Sequence, residues 1–132
     1  TQPRQFARVH TRLNLRLPGL DVLPRLQREL TSKNLFARTQ AVHTLSKIGD
    51  RRAWPWITAD LLHDPDDDLA RTAWRAAAAL VPDDEVSALA GELVKELGRG
   101  DDGVRMALSV ALLGLGEPAV TPVQAAMKSP ES

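Results

Sequence analysis

An all-α chain, folded as an α-solenoid of about four antiparallel helix pairs, is predicted by three observations on this sequence. Beyond residue 34 the apolar positions recur at helical spacing, as in Leu35, Ala41, Val42, Leu45 and Ile48, and period-two alternation is absent. Helix-breaking signals arrive at regular intervals: Gly49-Asp50, His63-Asp64-Pro65, Val81-Pro82-Asp83, Gly98-Arg99-Gly100 and Gly114 to Pro118. The third observation is internal repetition. Leu35 to Gly49, Asp67 to Val81 and Asp102 to Gly116 align without gaps, at offsets of 32 and 35 residues.

Taken in chain order, residues 1–18 are an arm or a first helix. Val9, Thr11, Leu13, Leu15 and Leu17 alternate with polar residues as in a half-buried strand, yet Phe6, Val9, Leu13 and Leu17 make a helical stripe, so residues 8–17 read as helix or strand. Residues 19–33, with Leu23, Leu26 and Leu30 around Pro24, have the form of a second helix. Unit 34–64 joins the helix ending at Gly49 to one carrying Pro55, Ile57, Leu61 and Leu62. Unit 66–98 repeats the plan with Asp67 to Val81, then Val86, Leu89, Leu93 and Leu97. Unit 101–128 closes with Pro122, Val123, Ala126 and Met127, and Pro130 ends that helix.

In register, Arg38, Ala70 and Arg105 correspond, as do Ala41, Ala73 and Leu108, then Thr44, Ala76 and Ala111, then Ile48, Leu80 and Leu115. Small residues at the inner positions allow close helix approach, and Leu or Ile supplies the apolar stripe. The expected core contains Leu45, Ile48, Leu62, Ala73, Leu80, Leu93, Leu112 and Leu115. The acidic runs Asp66 to Asp68, Asp83 to Glu85 and Asp101-Asp102 stand at helix starts, where they cap and complement the helix dipole.

The pattern "VRxxAxxALxxLG", a turn, then "PxLxxLLxD" resembles the HEAT repeat, especially the short bacterial variety named after phycobilisome lyase subunits. The resemblance covers residues 19–128. It implies a stack of helix pairs whose second helices line a concave face. Unit 66–98 departs from it, with Ala70 at the arginine position, Val81 for the glycine and no proline in its second helix. At the N-terminus Arg4-Gln5-Phe6-Ala7-Arg8 before an alternating segment is similar to the entry of PilZ domains, and that resemblance implies an anion-gripping role for Arg4 and Arg8.

A length of 132 residues suits one core. The chain has no cysteine, which excludes disulfides and thiolate metal sites, and charges interrupt every apolar run before a membrane span is reached. A cytoplasmic, membrane-free protein is expected. His10, His43 and His63 have no paired ligand at i+3 or i+4, and Ser46, Ser87 and Ser109 fall within helices, so neither a metal, a cofactor nor a catalytic site is predicted. The chain reads as non-enzymatic.

Net charge is zero, but residues 1–52 hold eleven Lys/Arg against three Asp/Glu, and residues 53–132 hold six against fourteen. In a stacked array that asymmetry becomes a difference between the two ends. The expected function is protein–protein interaction or scaffolding, with Trp54, Trp56, Arg25, Arg28, Arg51 and Arg52 as the partner-binding residues and an acidic protein or a second copy as the partner. Two alternatives stand beside it: an anion, nucleotide or nucleic-acid binder using the basic half, and a lyase-type accessory subunit.

Overall fold

The fold comes from a computed structural model that describes residues 22–127, and within them every regular element is helical. The α-helices are α1 (Leu23–Glu29), α2 (Leu35–Ile48), α3 (Ala59–Leu62), α4 (Asp67–Leu80), α5 (Val86–Leu93), α6 (Asp102–Leu115) and α7 (Val120–Met127). Short 3₁₀ segments lie at Arg51–Trp56, Asp83–Glu85, Val94–Glu96 and Glu117–Ala119. The helix-or-strand question at residues 8–17, together with Arg4 and Arg8, lies outside the described residues. No helix among them is long and apolar enough to cross a membrane.

The three repeated segments form α2, α4 and α6, each 14 residues long and each started by one device. Asn34 Oδ1 accepts the Ala37 amide at 3.0 Å, Asp66 Oδ1 that of Leu69 at 2.9 Å, and Asp101 Oδ1 that of Val104 at 3.0 Å. Each bond satisfies one of the amides that a helix start leaves without an intrahelical acceptor. Gly49 stops α2 in the left-handed region at φ 70°, whereas α4 stops where Val81 turns extended ahead of Pro82. The expected capping by Asp83 to Glu85 does not occur: they form their own 3₁₀ turn, and no carboxylate there caps α5.

The second elements are not the single continuous helices expected. Pro55 lacks an amide hydrogen and crowds the preceding turn, so residues 51–56 wind as 3₁₀. Ile57 and Thr58 then leave helical geometry, and only the four residues of α3 remain. After α5 the chain tightens to 3₁₀ and Leu97 turns extended, which leaves this expected stripe residue 44% exposed.

Packing forms two rows. In the first, α4 packs against α2 on one side and α6 on the other. In the second, the 51–56 segment meets α1, α3 meets α5, and α5 meets α7; α1, α3 and α5 also pack on α2, α4 and α6 respectively. One buried cluster runs from Leu23 to Ala119. Four alanines of α4, Ala70, Ala73, Ala76 and Ala77, are buried and let both neighbours approach closely. Leu45, Leu62, Ala73, Leu80, Leu93, Leu112 and Leu115 are buried as expected. Ile48 is only half-buried, as are Ala37 and Thr44, because among the described residues α2 has a first-row neighbour on one side alone.

Candidate partner-binding surface

The 51–56 segment is fixed from both ends. Asp50 accepts the Arg52 amide at 2.9 Å and holds the guanidinium with Nη2 at 2.8 Å, and Arg52 in turn keeps the Asp50 carboxyl below the usual range. Ala53 is fully buried beneath the segment, leaving the two tryptophans half-buried on either side of exposed Pro55. They differ in their partners. Trp54 Nε1–H donates to Glu85 Oε2 at 3.2 Å, tying its indole to the next unit. Trp56 lines an open cleft of about 450 Å³ with Leu30 and Thr31 in the turn after α1, Arg38 of α2, and Asp60 and Asp64.

The four arginines singled out in the sequence lie on α1 and the adjoining 51–56 segment, and all are exposed. Arg25 reaches Glu29 at 3.5 Å, whereas Arg28 and Arg51 have no carboxylate partner among the described residues. The cation that lines the Trp56 cleft is a different one, Arg38, whose Nη1–H donates to the Ser32 carbonyl at 2.6 Å. The structure therefore brings the tryptophans and arginines onto neighbouring elements, but only Trp56 of the six enters the cleft.

A polar cluster escaped the sequence reading. His63, at the end of α3, places Nε2 2.8 Å from Glu92 Oε1 and Nδ1 2.5 Å from Glu96 Oε2, joining one unit to the next. Hydrogen bonds that the imidazole donates to Glu92 and Glu96 hold its pKa above the ordinary value, and His63 and Lys95 hold Glu92 below its own. Arg99 extends the cluster, binding Glu96 and Asp67 at 3.0 Å each and donating to the Asp64 carbonyl. The carboxylates face opposite edges of the ring and do not converge, and no group of three or more potential ligands among the described residues is placed to hold a metal ion. The signal available in the sequence was separation: His63 stands 29 and 33 residues from its partners, close to one repeat length.

Compared with known proteins, the chain matches no family model, no curated protein and no solved structure.

Proposed function

We propose that this chain is a non-enzymatic, HEAT-like protein-binding module, a solenoid of helix pairs whose second row meets an acidic protein partner. The observation that carries the reading is Trp56: a large apolar ring, half-buried at the wall of an open cleft, beside two elements that expose Arg25, Arg28, Arg51 and Arg52. The shared caps of α2, α4 and α6 and the neighbour-to-neighbour order of both rows support the stacked architecture. Arginines at a rim raise the rate of encounter with an acidic partner, and an aromatic anchor lengthens its stay. Trp56 is the anchor, because the Trp54 indole N–H is already committed to Glu85.

Binding partners captured from cells of the source organism provide the test, by surface plasmon resonance against purified variants. Arg51→Glu with Arg52→Glu slows association and flattens its dependence on salt. Trp56→Ala speeds dissociation by about tenfold or more while far-ultraviolet circular dichroism stays unchanged. A folded Trp56→Ala variant with wild-type dissociation overturns the assignment. One observation favours a second reading, an anion or nucleic acid: Arg28, Lys33, Lys47 and Arg51 have no carboxylate partner among the described residues. Retention on an oligonucleotide column that falls steeply with salt, and is lost with Arg51→Glu, would select it.

A further inference from the structure

The first-row helices carry a second apolar surface that the core does not use. On α6, Val104, Leu108, Ala111, Leu112 and Leu115 are buried. Met106, Val110 and Leu113, spaced i, i+4 and i+7, are 65%, 60% and 80% exposed. A helix apolar on two sides has the pattern of one covered on two sides. Met106 and Val110 of this ridge line an open groove of about 810 Å³ between α6 and α4, floored by small residues such as Ala78, Ala107 and Gly114, and Leu113 lies outside it.

The α4 wall of the groove is basic. Arg71 binds Asp68 at 2.7 Å, and its Nη1 lies 3.9 Å from where a side chain on Gly103 would begin, so it reaches across to the start of α6. Arg75, one turn further on, is exposed and has no carboxylate partner among the described residues. An apolar ridge opposite an unpaired cation is a complementary surface for a helix with apolar residues along one side and a carboxylate beside them.

We propose that the α4–α6 groove binds an amphipathic, acidic helix of a second protein, its apolar residues against Met106 and Val110 and its carboxylate toward Arg75. Charge selects this occupant. Residues 1–21 of the chain include the stripe Phe6, Val9, Leu13 and Leu17, but they carry Arg4, Arg8, Arg12 and Arg16 with Asp21 as the only acid. A second copy meeting groove to groove would bring only Arg71 and Arg75 as charged groups, because no carboxylate lines the groove. Both alternatives bring like charges together. The proposal rests on the protein-binding reading but not on the Trp56 surface.

The probe is a fluorescein-labelled helical peptide of about 18 residues, with Leu at i, i+4, i+7 and i+11 and Glu on the flanks; a second peptide carries Lys in place of Glu. Titrated with the full chain, the Glu peptide binds about tenfold tighter than the Lys peptide or better, Arg75→Glu inverts that preference, and Val110→Asp abolishes binding. Trp56→Ala leaves it unchanged, which separates this groove from the second-row surface. If Val110→Asp loses helicity, Met106→Glu carries the same expectation. Equal binding of the two peptides, indifference to the ridge variant, or loss on Trp56→Ala overturns the proposal. So does sedimentation of the chain as a dimer that Val110→Asp makes monomeric, because a second copy then covers the ridge.

Discussion

The three tryptophans have three different fates, and each follows from what lies around one side chain. Trp74 is fully buried on α4, and its indole N–H donates to the Leu62 carbonyl at 2.8 Å, so the ring fills space and satisfies a carbonyl of the second row at once. Trp74→Ala should cost about 3–5 kcal/mol in chemical denaturation, and Leu45→Ala about 2–5 kcal/mol. A loss of under about 1 kcal/mol at either site would place it outside the core. The repeat register did not single out Trp74, since its counterparts are Val42, which is fully buried, and Ser109, which is exposed. Trp54 and Trp56 have no counterparts in the other units. Positions two apart on a helix point in different directions, which requires at least one of the pair to be partly exposed; both are half-buried, and the spacing does not show that Glu85 claims Trp54.

Among elements, the first-row helices were legible because local chemistry defines them: a capping side chain, helical spacing, then glycine or a residue ahead of proline. Asp66→Ala and Asp101→Ala should each lower stability by about 1 kcal/mol, read as a shift in the thermal midpoint. The second-row elements were less legible, since a proline inside an apolar stripe does not announce whether the chain kinks, tightens or stops. The join between α3 and α5 left only one trace in the sequence, separations of 29 and 33 residues that lie near one repeat length, because His63, Glu92 and Glu96 meet only through packing. That join titrates. His63 is raised above 6.5, so its contribution is complete below that value and lost as pH rises through the folded one. Glu92 is lowered from 4.5, so its contribution is present above that value and lost as pH falls through the folded one. The join is therefore strongest between about pH 4.5 and 6.5. Glu92 is substantially exposed, which keeps the effect modest. The thermal midpoint should fall from about pH 6 to about pH 8.5, and His63→Gln should shrink that fall. An unchanged slope in the variant would remove His63 from the linkage.

For the whole molecule, the repeat offsets foretold which helices become neighbours, whereas no repeat arithmetic foretold the outer ridge of Met106, Val110 and Leu113. The buried stripe of α6 serves contacts inside the chain, and the ridge faces away from them, so the two obey different constraints. The position of α4 has a kinetic consequence. It packs against α2, α3, α6 and the 51–56 segment, while α1 and α7 close the described rows with fewer neighbours. Amide hydrogens from Ala73 to Leu80 should therefore exchange with deuterium most slowly, and those of α1 and α7 fastest, as measured by mass spectrometry. Uniform protection along the chain would show one cooperative unit instead. With such a gradient, an outer helix pair can open and reclose while α4 persists as the template that guides its return.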